Sequence, residues 1–143
     1  MSANGNGQRP DYGIDAPGVV WKLALYGLGG LAAGQAFAMP LRSFRPRLAR
    51  VVQLLGVLHG LFYLGTAGLL VWRSKVGKLR ERERLLDAVP SRGDETVLDV
   101  GCGRGLLLTA AARRIPDGKA IGVDIWQEVD QSGNRPEATW ANA

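Results

Sequence analysis

Two apolar runs dominate the first half of the chain. Val19–Leu41 carries only Lys22 and Gln35 as strongly polar groups, and Val51–Trp72 only Gln53 and His59. Each exceeds the roughly 20 residues that cross about 30 Å of hydrocarbon at about 1.5 Å per residue. The pattern therefore predicts a two-helix transmembrane hairpin in residues 19–72, with spans 19–41 and 51–72; a buried helical hairpin of a soluble protein is the competing reading. Lys22 lies one turn inside its run and can snorkel, while Trp21, Tyr26 and Trp72 suit membrane interfaces. The first run follows a polar stretch without a compact basic start, which is not the form of a cleavable signal. Gly30-x-x-x-Gly34 and Gly56-x-x-x-Gly60 each put two small residues on one helix face, where two helices can approach closely. The plainer account is that glycine is common in membrane helices. His59 reads as an interior hydrogen-bonding residue, with a functional intramembrane role as the alternative.

After Trp72 the pattern becomes that of a soluble unit, residues 73–143. Gly77–Val89 has Leu79, Leu85, Leu86 and Val89 near one side, with opposite charges three apart at Lys78/Glu81, Arg80/Glu83 and Arg84/Asp87, which predicts a helix ended by Pro90. Ser91–Asp94 is a turn cluster, Thr96–Val100 a strand, Gly105–Ile115 a helix, Pro116–Gly118 a turn, and Ala120–Val123 a second strand with Asp124 at its end. Pro136 and Glu137 look like the first turn of another helix. Strand, glycine loop, helix and strand in that order call for a parallel pair with a right-handed crossover, an α/β Rossmann-like half-sheet. Residues 1–18 are polar and glycine-rich and read as a disordered tail, although DYGIDAP can pack at a membrane face.

Charge sharpens this picture. The formal net charge is +5, and residues 19–72 contain no Asp or Glu. Arginines 42, 45, 47 and 50 lie between the runs, and Arg73, Lys75, Lys78, Arg80, Arg82 and Arg84 follow them. Such flanking charge points to a lipid bilayer. No aromatics alternate with these arginines to stack on bases, which argues against a nucleic-acid partner. Six basic residues after the second run against four between the runs favour cytoplasmic ends. The one cysteine excludes an intrachain disulfide and a cysteine-rich metal site, so no metal is expected.

The candidate chemistry sits in VLDVGCGRG, Val97–Gly105. Gly101, Gly103 and Gly105 allow a sharp turn with positive φ and let a ligand press on bare backbone. A dinucleotide site wants G-x-G-x-x-G around a pyrophosphate. This chain has G-x-G-x-G, with Asp99 two residues ahead. A carboxylate there repels a diphosphate and suits a ligand carrying ammonium and sulfonium charge.

VLDVGCGRG resembles the first motif of the class I S-adenosylmethionine-dependent methyltransferases, and IGVDIW resembles their second, with its acid ending the second strand. DYGIDAP, GKLRERERLLDAVPSRGDETVLDVGCGRGLLL and DQSGNRPEAT are similar to stretches of a bacterial membrane-attached group of that family. The resemblance implies S-adenosyl-L-methionine as cofactor. Gly101 and its neighbours Cys102, Gly103 and Gly105 would meet its methionine end through backbone groups. Asp99 would hold the loop and favour the amino-acid end, Asp124 would accept from both ribose hydroxyls, and Ile125 and Trp126 would border the adenine. Asp99 as a cap and Trp126 as ordinary packing remain open readings; Cys102 reads as a loop filler rather than a nucleophile, and Arg104 as either a solvated charge or a contact to the cofactor's carboxylate. No general base can be named.

The family's sheet has about seven strands and only two are readable here, so the resemblance covers an amino-terminal portion and a truncated copy is expected. The implied protein is anchored in the bacterial inner membrane with its soluble domain facing the cytoplasm. It would transfer a methyl group to an unknown, apolar acceptor, and its glycine-rich helices could associate between copies. The rival readings are a membrane-anchored remnant without catalysis and an NAD- or nucleotide-binding Rossmann protein.

Overall fold

The computed structural model describes residues 10–143. The first nine residues of the expected tail lie outside the described residues. The chain divides into two compact units: Gly18–Val71, and the described residues up to Pro17 taken with Trp72–Ala143.

In the first unit, helix α1 spans Pro17–Leu41 and helix α2 spans Pro46–Trp72. Pro17 and Pro46 open their helices where a missing N–H costs nothing. The residues buried along α1 and α2 are small: Gly27, Gly34 and Ala38 on one, Ala49, Gly60 and Ala67 on the other. The helices meet along the glycine faces the sequence singles out. A Cβ built on Gly34 would lie 2.7 Å from the Cα of Gly56, and one on Gly27 would lie 2.6 Å from Cγ of Leu64. Gly30 sits against the His59 ring, and Gly60 against Leu31. His59 packs on Tyr63 with ring centroids 4.6 Å apart. Trp21, Phe37 and Phe62 stay outside, each about two-thirds exposed.

Backbone from Pro46 to Asp87 is helical throughout, with a π-helical turn at Arg73–Gly77 before helix α3, Lys78–Asp87. Among the described residues, this is the one helix long and apolar enough to cross a membrane by length and composition. The two-span expectation is thus corrected to one candidate span. Length does not disqualify α1, which has 25 residues; glycine and alanine, with Lys22 and Gln35, dilute it.

The second unit is a mixed helix and strand structure. Strand β1, Thr96–Val100, pairs in parallel with β2, Lys119–Val123, placing Asp99 beside Gly122. Helix α4, Leu106–Ala112, connects them, and helix α5, Pro136–Asn142, follows. Strand β1 has its expected bounds. Helix α4 is shorter than its pattern because Gly105 takes the left-handed conformation at its start (φ 77°) and the chain turns after Arg113. Helix α4 packs on one face of the sheet, where Gly122 is required: a Cβ there would lie 2.6 Å from Leu108 Cδ2 and 2.8 Å from Cys102 Sγ. The other face, Leu98, Val100, Ile121 and Val123, is exposed. Of the expected charge pairs on α3, Arg84 instead bonds Glu81, while Glu83 and Asp87 turn to Arg114 beyond α4, at 2.8 and 2.7 Å.

The tail reading fails over Asp11–Ala16. The backbone N–H groups of Asp11, Ile14, Asp15 and Ala16 donate to Asn142, Ser132, Ser74 and Asp130, and Tyr12 is 6% exposed. A chain whose polar groups find partners and whose aromatic ring is buried recovers the entropy cost of ordering.

The glycine contact yields a test with an internal control. Gly34→Ala should lower stability by about 1–3 kcal/mol, since its Cβ would strike backbone. Gly29→Ala, with nothing within 4 Å, should be neutral or stabilise by up to about 1 kcal/mol. Denaturation of both variants in detergent, followed by helical circular dichroism, checks the ordering.

Candidate functional site

The glycine loop leaves β1 at the carboxyl edge of the sheet, the edge where open parallel sheets bind ligands. Gly101, Gly103 and Gly105 all have positive φ, at 77°, 52° and 77°. Only glycine takes that succession without strain. Close packing adds to the demand: a Cβ on Gly105 would lie 2.9 Å from Thr139 Cγ2, whereas Gly101 has open space on its Cβ side.

Every backbone N–H of the loop already has an acceptor. Gly101 and Cys102 donate to the Val123 carbonyl at 2.7 and 3.2 Å, and Gly105 donates to Cys102 O at 2.8 Å. Gly103 donates to Asp124 Oδ2 at 2.9 Å, and Arg104 to Gln131 Oε1 at 3.1 Å. What the loop leaves open to a ligand is close approach to the backbone at Gly101.

Asp124 is the centre of this arrangement. Its Oδ1 accepts from the Trp126 N–H at 2.6 Å and from Asn134 Nδ2 at 3.0 Å, and its Oδ2 takes the Gly103 N–H. Burial pushes its pKa up, but the hydrogen bonds from Gly103, Trp126, Asn134 and Ile125 outweigh that and hold it below the usual carboxylate value. A carboxylate has about four acceptor positions, so a ligand hydroxyl at Asp124 would have to share or displace one of these internal donors.

Gly101, Gly103, Asp124 and Ile125 line one cleft together with Gln127, Asp130, Gln131 and Asn134; its volume is about 370 Å³. That lies within the usual range of ligand pockets, roughly 300–1,000 Å³. Among the described residues, the lining holds two carboxylates and three side-chain amides, and no lysine or arginine. Asn134 is 7% exposed, and its Oδ1 has no hydrogen-bond partner although its Nδ2 serves Asp124 and Gln127. An acceptor buried without a donor is costly, so the cleft favours a ligand that brings donors and positive charge.

Other sequence candidates lie elsewhere. Trp126, at positive φ (57°), lines a separate cavity with Cys102, Leu108, Thr139 and Trp140. Cys102 is 6% exposed, and burial, then Asp99 and Asp124, push its thiol pKa up, so the thiolate is disfavoured. Burial of the Asp99 carboxyl raises its pKa, against the lowering influence of the Leu108 N–H in the first turn of α4, and its Oδ2 is buried and unpaired. Arg104 is neither solvated nor free for a ligand: it donates to Asp11 O, Ser132 O and Gly133 O. Sequence reading missed Gln131 and Asn134. Their one signal is their place in DQSGNRPEAT.

No protein-family model matches the chain, and no solved structure matches it. Among curated proteins it is 54% identical over 43 residues to Nocamycin O-methyltransferase of Saccharothrix syringae, covering 29% of this chain and 15% of that protein. It is 52% identical over 42 residues to an uncharacterized methyltransferase of Mycobacterium tuberculosis, covering 29% and 21%. It is 44% identical over 55 residues to an uncharacterized 37.1 kDa protein in a transposon of Streptomyces fradiae, covering 37% and 16%. The matched segments thus span 15–21% of the length of these relatives. Two of these relatives are named as methyltransferases.

The role of Asp124 has a signed pH consequence. Asp124→Asn should cost about 1–2 kcal/mol, a modest value for bonds to a charged acceptor that is partly solvated. The native pKa is lowered from 3.8, so the carboxylate's contribution is complete above that value and is lost as pH falls through the lower native one. The gap between wild type and variant in urea unfolding should therefore close only below about pH 4.

Proposed function

We propose that this chain carries the cofactor-binding part of a class I S-adenosylmethionine-dependent methyltransferase. The observation that carries the reading is the cleft at Gly101, Gly103 and Asp124, rich in acceptors and, among the described residues, without a cation in its lining. A dinucleotide or sugar nucleotide would bring a diphosphate to Asp124 and Asp130, where like charges repel. S-Adenosylmethionine brings an ammonium, a sulfonium and a ribose diol. In this reading Asp124 accepts from the ribose hydroxyls, Gly101 permits close approach of the methionine portion, Ile125 offers an apolar edge to the adenine, and Asn134 Oδ1 accepts a ligand donor. When bound, the cofactor supplies an electrophilic methyl carbon for in-line displacement, and the protein positions donor and acceptor. The short relatives with methyltransferase names support the same class.

We further propose that the long apolar helix that begins at Pro46 anchors the protein in the bacterial inner membrane, with the second unit in the cytoplasm, where the cofactor is made. The outward display of large apolar side chains supports this, because soluble surfaces rarely expose so continuous a patch. The acceptor then belongs to the apolar molecules that partition into a bilayer. Copies can associate through Gly65 and Gly68 of α2, which have nothing within 4 Å.

Thermal unfolding of the full chain in detergent separates the readings. S-Adenosylhomocysteine at about 100 times its dissociation constant should stabilise by about 2.7 kcal/mol, and NAD should not. Protection by NAD alone would replace this reading with the dinucleotide one. Protection by neither would favour an anchor without catalysis.

A further inference from the structure

The chain before α1 packs against loops that border the site. Gly13 takes φ 70°, and a Cβ there would lie 2.6 Å from Ser132 O and 3.1 Å from Arg104 Cδ, so the segment lies flat on the loop that carries Gln131–Gly133. Gly133, at φ 63°, is bare for the same reason: its Cβ would lie 2.6 Å from Arg104 Nη1. Ile14 and Ser132 exchange backbone contacts, the Ser132 N–H donating to Ile14 O at 3.0 Å and the Ile14 N–H to Ser132 Oγ at 2.8 Å. Tyr12 shares a hydrogen bond with Thr109 of α4 at 3.2 Å.

Two side chains tie this segment to the glycine loop. Arg104, inside GCGRG, donates through Nε to Asp11 O at 2.7 Å and pairs through Nη2 with Asp11 Oδ2 at 3.3 Å, while Nη1 serves Ser132 O and Gly133 O. Its planar fork suits several acceptors at fixed angles, which lysine cannot copy. Gln131 accepts the Arg104 N–H through Oε1 and donates through Nε2 to Tyr12 O at 3.0 Å. The same Gln131 lines the cleft. From the other side, Lys78 donates to Tyr12 O at 2.7 Å and Gly13 O at 3.2 Å, and Lys75 pairs with Asp11 at 2.7 Å.

We infer that Asp11–Ala16 is a strap that sets the geometry of the glycine loop, with Arg104 and Gln131 as its positioning residues. The site is then assembled from chain on both sides of the α1–α2 insertion. Its effect on cofactor binding rests on the function proposed above; its effect on the loop does not. Five loop amides have internal acceptors, and the one at residue 104 depends on a Gln131 held by the strap. Releasing the strap should therefore loosen the loop while leaving β1 and β2 paired.

Hydrogen exchange by mass spectrometry on the full chain in detergent tests this. Gly13→Ala lifts the strap by steric contact with Ser132, and Arg104→Lys keeps the charge but removes the fork. In both variants, amides 101–105 should exchange about tenfold faster than in wild type, with β1 and β2 amides unchanged. S-Adenosylhomocysteine affinity, by calorimetry, should fall about tenfold in parallel. Unaltered exchange at 101–105 in the two variants, with the strands still protected, would overturn the strap. Faster loop exchange with undiminished affinity would overturn its role in positioning the site. A wild type that binds no S-adenosylhomocysteine would refute the methyltransferase reading, and the exchange comparison would still decide the strap.

Discussion

The second unit depends on what the Asp124 carboxylate does at the end of β2. It takes the Gly103 N–H from the loop after the neighbouring strand, the Trp126 N–H from its own chain, and the Asn134 side chain from further on. Three segments that share no local structure are thereby fixed to one point. A left-handed succession of glycines is floppy in isolation, because glycine loses more conformational entropy on ordering than any other residue. Charge-assisted hydrogen bonds from donors brought together by the parallel β1–β2 register offset that loss.

This constraint also decides what the cleft can accept. With the loop amides committed internally, the cleft does not resemble the anion cradles that backbone N–H groups build for phosphates. What remains facing it are carboxylates, amide oxygens and the open side of Gly101. Asp99 and Asp124 lie close enough for the charge on Asp124 to help raise the pKa of Asp99. A local field of that sign attracts cationic ligands and repels diphosphates.

Much of this was legible in the sequence, and the rest was not for physical reasons. Thr96–Val100 and the second strand showed themselves through β-branched and aliphatic residues next to turn signals, and the glycine loop through its spacing. Pro136 and Glu137 marked α5 because helix first turns favour those residues. The internal use of the loop amides was hidden, since their acceptors include Val123 O and Asp124 on the neighbouring strand's end and Gln131, 27 residues from Arg104. The strap was hidden for the same reason: Asp11 meets Asn142 across a separation of 131 residues. Trp126 read as a ligand border by its neighbours in IGVDIW, but a positive φ carries it to a different cavity. Helix α1 has the length of a span, yet composition separates it from α2.

The most direct measurement is photo-crosslinking of methyl-labelled S-adenosylmethionine to the full chain, with the labelled peptide mapped by mass spectrometry. The account expects label within residues 101–134, displaced by S-adenosylhomocysteine and not by NAD. Label outside that stretch, or label displaced by NAD, would contradict it.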